Sequence, residues 1–455
     1  MRTGAVSPPG PRIFSPLGIA PRFARDPLGV VAAAFQAYGD CVHLPGPLGQ
    51  SAYLLNDPDL VRTVLVTHAN DIEKPAPLKR IFRSSFGNGL FFSEGSFWRR
   101  QRKLAQPAFH STRIQAYAAS IVRQAQHAIG TWRPGQLRDL RREMSAATLK
   151  VVVEALFHTS VEGEMEQIYL AMNELASIIT MQSMNPLLAI IPDAAPIPLM
   201  RRKRRASAVL DSIIYRLIRE RRASRTDNGD LLSMLVLAED EDGQHMSERQ
   251  LHDEVMTIFI AGHETTALAL TWAFVLLARH PSVEAKLHAE VDQALDGRLP
   301  TLADLPNLPY AQMVVKETLR LYPPVWLIIR QAVVPFSLGT YPVSKGSQIW
   351  VCPFTMHRHP RLYDQPEGFL PERFLPDHTG QALELRLPRF AYMPFGGGPR
   401  ICMGNMFALM EAQLFIATIA QRYHLEMDPD SKIQVHAGAT LGFKDGAPLR
   451  VVERT

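Results

Sequence analysis

Cysteine, arginine and glycine converge in one stretch, Phe395-Gly396-Gly397-Gly398-Pro399-Arg400-Ile401-Cys402-Met403-Gly404-Asn405, which runs directly into an apolar helical segment. A helix N-terminus offers free N–H groups and the positive end of the helix dipole, and both stabilise a thiolate. Cys402 sits where the chain enters that helix. The glycines let the backbone come close to a flat ligand. Arg400 can pair with an anionic group at the ligand's edge, and Phe395 can pack over the loop and shield the sulfur. Taken one residue at a time, the same stretch also reads as a glycine-rich turn with an incidental cysteine. The other two cysteines, Cys41 and Cys352, lie in apolar runs and read as small buried hydrophobes. Three cysteines make neither a disulfide framework nor a thiolate zinc cluster, and a reducing compartment fits.

Three further constellations carry polar chemistry. Ala261-Gly262-His263-Glu264-Thr265-Thr266 interrupts the longest apolar run, Met256 to Leu277. A threonine hydroxyl in mid-helix can bond a carbonyl one turn back and bend the helix locally. Glu317 and Arg320 stand at i, i+3, so both charges share one helix face. Downstream comes Pro371-Glu372-Arg373-Phe374. Trp98 and Arg102 stand one helical turn apart in Trp98-Arg99-Arg100-Gln101-Arg102.

The spacing Phe-x-x-Gly-x-Arg-x-Cys-x-Gly resembles the heme-binding loop of the cytochrome P-450 superfamily in every fixed position. The other segments resemble, in family order, its Trp-x-x-x-Arg, oxygen-activation, Glu-x-x-Arg and Pro-Glu-Arg-Phe elements. The resemblance spans the chain from about residue 20 to the end. It implies a mainly α fold with small β-sheets, a triangular helical prism with a long central helix. After a proline-rich segment at residues 1–20, residues 21–455 are then a single catalytic domain. The cofactor implied is heme b, with Cys402 as the thiolate ligand of its iron. Trp98, Arg102, Ala261, Arg330, Phe395, Gly398, Arg400, Gly404 and Ala408 are the expected heme contacts. Arg102, Arg330 and Arg400 supply the cations that two buried propionates need. By resemblance, Thr265 hydrogen-bonds dioxygen and Glu264 relays protons. Glu317, Arg320 and Arg373 form a buried structural network.

The implied activity is a monooxygenase that inserts one oxygen atom into a C–H bond. The rivals are a heme isomerase, dehydratase or peroxide-driven enzyme, a heme-thiolate gas sensor, and a helical scaffold without heme. Thr265 and Glu264 favour the monooxygenase. The tail beyond Cys402 is too short for a fused reductase. The electron donor expected is therefore a separate ferredoxin or flavodoxin with an NAD(P)H-dependent reductase, docking near Arg99, Arg100 and Lys103. No membrane anchor is expected ahead of the catalytic body, so a soluble, bacterial-type, cytoplasmic enzyme follows. Its motif choices lie closer to the fatty-acid and microsomal branch.

A long helix must position the threonine motif. Ser247-Glu248-Arg249-Gln250 has capping-box spacing, and the helix should run to about Arg279, with Pro281 as its stop. That is roughly 50 Å at 1.5 Å per residue. Ser282 then caps a helix to about Leu295. Further helices are expected at Val30–Tyr38, about Tyr310–Leu321 and about Asn405–Arg422. Residues 75–95 read as loop, and a proline-rich break at Pro192 to Pro198 separates two helices. Ser51 to Leu55 reads as a strand, and a turn at Asp445-Gly446 joins short strands near the C-terminus.

The chain has 455 residues, 46% hydrophobic and 20% charged, enough for a large core. The net charge of +5 is mild. Arg201-Arg202-Lys203-Arg204-Arg205 reads as solvated surface, and no aromatic–basic interleaving suggests nucleic acid. Expected pocket residues are mostly apolar: Phe82, Phe86, Leu90, Phe91, Phe92, Ile178, Ile179, Met181, Ile258, Ala261, Val325, Leu327 and Ile328. They suit a lipophilic substrate such as a fatty acid, terpenoid, carotenoid or steroid. Arg83 is the one cation within the phenylalanine-rich stretch Phe82–Phe92 and a candidate anchor for a carboxylate.

Overall fold

The computed structural model describes residues 7–454 apart from 14, 16, 111–113, 158–161 and 225, so the first six residues of the proline-rich segment lie outside it. The protein is 56% helical with small sheets, as the sequence leads one to expect. The principal helices are α1 (Pro27–Tyr38), α2 (Ala76–Phe86), α3 (Gly95–Ala105), α4 (Leu140–Phe157), α5 (Met165–Met184), α6 (Pro198–Ser224), α7 (Glu248–Arg279), α8 (Pro281–Leu295), α9 (Pro309–Leu321) and α10 (Asn405–Ala420). The chain forms two compact units.

The first unit comprises residues 1–78, 316–402 and 437–441. Its main sheet is built from β1 (Cys41–Pro45), β2 (Ser51–Leu55), β3 (Ile72–Glu73), β4 (Ile328–Ala332) and β5 (Gln348–Val351), in the order β1-β2-β5-β4-β3. Buried aliphatic residues, Leu55, Val61, Val64, Ile349 and Val351 among them, pack on one face, where Phe390 and Met393 join them. The opposite face buries Val42, Leu44, Leu54, Trp326 and Trp350. Alternation along the strands sends these two sets to opposite sides.

The second unit comprises residues 79–315, 403–436 and 442–455. Its axis is α7. The expected capping box is present: Ser247 Oγ accepts from the Gln250 N–H at 3.2 Å, and Gln250 Oε1 accepts from the Ser247 N–H at 2.7 Å. The helix is buried from Leu251 to Met256 and again from Thr266 to Leu277, and α4 packs along it. Gly262 permits this close approach, because a Cβ there would lie 2.9 Å from a methyl of Val152. Among the described residues α7 is the one helix long and apolar enough to cross a membrane, and 72% of its apolar window is buried inside the protein.

Two local expectations are corrected. Residues 76–86 form α2 rather than loop. Its phenylalanines and serines obscured a helical pattern in which Ile81 and Ser85 are buried one turn apart and the Phe82 and Phe86 rings lie 6.2 Å apart. Pro77 in the first turn costs no hydrogen bond. The helix after α7 begins at Pro281, with His280 in the capping position, rather than at a Ser282 cap. Proline is preset for that first helical position.

Candidate active site

The cysteine loop is held from within its own unit. The Cys402 N–H donates to the Phe395 carbonyl at 3.0 Å, the Ile401 N–H to Gly398 at 3.1 Å, and the Gly396 N–H to Met393 at 3.0 Å. Gly398 has a φ of +68°, and a Cβ there would lie 2.1 Å from the Leu65 carbonyl oxygen. A Cβ on Gly397 would strike the Phe390 ring at 2.2 Å. These glycines therefore seat the loop on the sheet's cover rather than merely freeing its backbone. Gly404 takes the N-cap position of α10, and the Ala408 N–H donates back to its carbonyl at 2.9 Å. Arg400 closes a 3-10 turn and is half-buried.

The three thiols differ sharply. Cys41 and Cys352 are buried, and Cys402 is exposed. Burial pushes Cys41 up to about 12, with Asp57 and Asp40 adding to it. Burial likewise pushes Cys352 up to about 11, and its thiol donates to the Trp326 carbonyl at 3.3 Å. Cys402 alone couples accessibility to a following helix N-terminus.

Below the loop in the same unit lies the charge network. Arg320 meets Glu317 through Nε and Nη2, each at 2.7 Å, and Arg373 Nε reaches Glu317 Oε1 at 3.4 Å. Arg320 also donates to the carbonyls of His357, Pro366 and Gly368 at 2.7–2.8 Å. His357 is buried and held neutral, its pKa driven down to about 3 by burial and by Arg320. Its Nδ1–H donates to the Arg320 carbonyl at 3.2 Å, and its Nε2 accepts from the Met393 N–H at 2.9 Å. The network thus ends at the residue whose carbonyl receives Gly396. Arg330 lies on β4, with Nη1 on the Ile329 carbonyl at 2.9 Å.

In the other unit, α7 changes character at mid-length. Thr257, Ile258, Ile260, Ala261, Gly262, Glu264 and Thr265 are accessible, whereas the helix is otherwise almost wholly buried from Leu251 to Leu277. This strip carries both expected catalytic residues. Thr265 Oγ donates to the Ala261 carbonyl at 2.6 Å, the back-bond expected of a threonine in mid-helix. His263, between them in sequence, faces the other way. It is buried, bonds Ser145 Oγ at 2.9 Å, and is kept neutral, its pKa lowered to about 4 by burial and by Arg141. Thr148 Oγ donates to the His263 carbonyl at 3.0 Å. Trp98 is buried on α3 and Arg102 half-buried, its guanidinium 5.9 Å from the Trp98 ring centre.

Several expected pocket and surface residues have other duties. Phe86, Phe92, Ile178 and Ile179 are core side chains, at most 3% exposed. Phe91, Met181 and Val325 are exposed, and Leu90, Ile258, Leu327 and Ile328 are half-buried. The Arg83 guanidinium turns back to the Phe92 carbonyl at 2.5 Å instead of standing free as an anion anchor. In the cluster read as solvated, Lys203 is only 2% exposed. Its ammonium donates to the Ile81 carbonyl, Ser84 Oγ, Gln182 Oε1 and Asp193 Oδ1 at 2.7–3.2 Å. Arg100 pairs with Asp240 and Lys103 with Glu241. The sequence reading also passed over Asp253 and Glu254, buried acids on α7, although two charges inside an apolar helix were a legible signal.

Comparison with known proteins places these features. The family model described as Cytochrome P450 matches residues 8–443. Cyclooctatin synthase of Streptomyces melanosporofaciens is 39% identical, over 96% of this chain and 93% of that protein. Pentalenene oxygenase of Streptomyces avermitilis is 33% identical, over 96% of each. The crystal structure of a cytochrome P450DA heme domain superimposes with a TM-score of 0.87 at 27% identity, over 99% of this chain and 98% of that one.

Proposed function

Because this chain belongs to the cytochrome P450 family and is a P450 monooxygenase, we propose that Cys402 ligates the iron of a heme b and that the substrate is a terpenoid or a similar lipophilic molecule. The observation that carries the ligand assignment is the inequality of the three thiols. Cys402 is accessible ahead of a helix, and the other two are buried with strongly raised pKa values. The residues present fit the cofactor: a glycine-seated loop, an accessible thiol, and Trp98, Arg102, Arg330 and Arg400 as propionate partners. Phe395, Gly398, Gly404, Ala408 and Ala261 complete its contacts.

Heme, when bound, supplies the redox chemistry that activates dioxygen. The protein's own part is positional and protonic. Thr265 holds a hydroxyl on the accessible strip and can exchange its back-bond to Ala261 for one to a reacting oxygen. Glu264, beside it and half-buried, passes protons inward from water. His263 is turned into the core, where it bonds Ser145, and takes no part on that face. Ile258 and Ile260 give the strip an apolar rim that binds hydrocarbon at roughly 25 cal/mol per Å2 buried.

The relatives include terpenoid and carotenoid monooxygenases, which supports a terpenoid ahead of a fatty acid. Electrons come from a separate ferredoxin or flavodoxin with its NAD(P)H-dependent reductase. Arg99, Arg100 and Lys103 form the docking cations. The pair between Lys103 and Glu241 is highly exposed and therefore weak, so it yields easily to an acidic partner. The Streptomyces relatives support a cytoplasmic location. The deciding experiment is the carbon monoxide spectrum of the reduced protein. The wild type should show the long-wavelength Soret band of a thiolate complex, and Cys402→Ala should lose it. A retained band would assign the ligand to Cys41 or Cys352.

A further inference from the structure

Two buried acids on α7, Asp253 and Glu254, take no part in the chemistry above; they are 7% and 2% exposed. Each receives main-chain N–H groups from the segment that follows α2. The Asn88 N–H donates to Asp253 Oδ2 at 2.8 Å, and the Leu90 N–H donates to Glu254 Oε2 at 2.9 Å. The seat accepts only bare backbone. A Cβ on Gly87, whose φ is +71°, would lie 1.9 Å from Asp253 Oδ1. A Cβ on Gly89 would lie 2.2 Å from both the Asp253 carbonyl oxygen and Thr257 Oγ.

The acids are themselves braced. His252 bonds Asp253 at 3.1 Å and Asp211 of α6 at 2.9 Å, and Tyr215 stacks on its ring at 4.4 Å. Burial, with Asp253 alongside, holds the Glu254 carboxyl up at about 8, against the Leu90 hydrogen bond.

The segment so held borders the accessible strip. Gly89 sits against Thr257, the first accessible residue of the strip that carries Ala261, Glu264 and Thr265. Leu90 is half-buried and Phe91 is 50% exposed. At the far end, Arg83 Nη2 donates to the Phe92 carbonyl. Packing alone lets a loop slide, whereas directional bonds to two adjacent carboxyl groups fix it along the helix axis. A displacement of about 1 Å is enough to change which atom of a substrate meets the reacting centre.

We propose that Asp253 and Glu254 are positioning residues that set the segment 87–92 against the α7 strip and so select which C–H bond of a lipophilic substrate is oxidised. This rests on the monooxygenase reading given above. The test compares Glu254→Gln, which keeps an acceptor oxygen, with Glu254→Leu, which removes it. Two quantities are read on the holoenzyme: amide hydrogen exchange across residues 87–92, and the ratio of products from a terpenoid with several oxidisable positions. Glu254→Leu should exchange at least tenfold faster in this segment and change the product ratio, with the thiolate carbon monoxide band retained. Glu254→Gln should restore both to near wild type. Unchanged exchange and an unchanged ratio in Glu254→Leu overturn the proposal. If Glu254→Leu does not fold, Asp253→Ala reports instead: it removes the acceptor for the Asn88 N–H, so faster exchange at Asn88 and a changed ratio are expected, and wild-type values of both overturn the proposal. Absence of the thiolate band in the wild type overturns the heme reading, while the exchange data still decide whether the acids hold the segment.

Discussion

Arg320 grips both carboxylate oxygens of Glu317 at 2.7 Å, and neither side chain is exposed. Three main-chain carbonyls and Arg373 complete the shell, so the pair replaces water fully on both sides. Removing one partner leaves the other charge buried and unpaired, which costs about 3 to 5 kcal/mol. Arg320→Ala should therefore lower the denaturant midpoint sharply and reduce heme retention, because His357 and Met393 lose their brace. Equal heme content and an equal midpoint in the variant would refute a structural role.

Thr265→Ala should bind heme normally and waste electrons. The change deletes one back-bond to Ala261 on an accessible face and opens no core cavity, so stability should move by no more than about 1 kcal/mol. Product formed per NAD(P)H should fall several-fold while peroxide release rises. Wild-type coupling would strike Thr265 from the catalytic residues.

Arg83 tests the substrate class. Since its guanidinium holds the Phe92 carbonyl, fatty acids and their methyl esters should shift the heme spectrum equally. A markedly stronger response to the free acids would show that Arg83 releases Phe92 to bind carboxylate. Arg83→Ala should then abolish the difference.

His252 makes stability depend on pH. Burial opposes its protonation, but Asp211 and Asp253 outweigh burial and raise its pKa from 6.5 to about 9. A folded-state pKa above the unfolded one gives stability that is complete below pH 6.5 and lost as pH rises toward 9. With Asp211 partly exposed, the loss should be roughly 2 kcal/mol. Urea unfolding at pH 6 and pH 9 should show it in the wild type on top of the loss from ionising Glu254, whose raised pKa of about 8 acts in the same sense, and His252→Gln should shrink the difference by the His252 share. A variant with the wild-type slope would exclude His252 as its source.

Local sequence carried much of this architecture. The capping box at Ser247 and Gln250, the cysteine loop and the Glu317 and Arg320 spacing were legible because each depends on neighbours within a few residues. Lys203 was not. Five basic residues in succession look solvated, and only the fold brings Ser84, Gln182 and Asp193 to its ammonium. Helix α2 was hidden by composition, since Gly87 and Gly89 just beyond it suggested a loop throughout. Phe86, Phe92, Ile178 and Ile179 show the same limit, because an apolar side chain does not reveal from sequence whether it faces substrate or core.

The inequality of the three thiols also makes the protein its own gauge of cofactor loading. Thiolate is the form that attacks an alkylating reagent, so the buried Cys41 and Cys352, with raised pKa values, stay silent in the folded chain and Cys402 reports alone. Each molecule lacking heme should consume one equivalent of iodoacetamide, and each loaded molecule none. The same exposed sulfur is where peroxide would begin an oxidation that ends in sulfinic acid, beyond the reach of ordinary thiol reductants. Chains waiting for heme are therefore the ones that age.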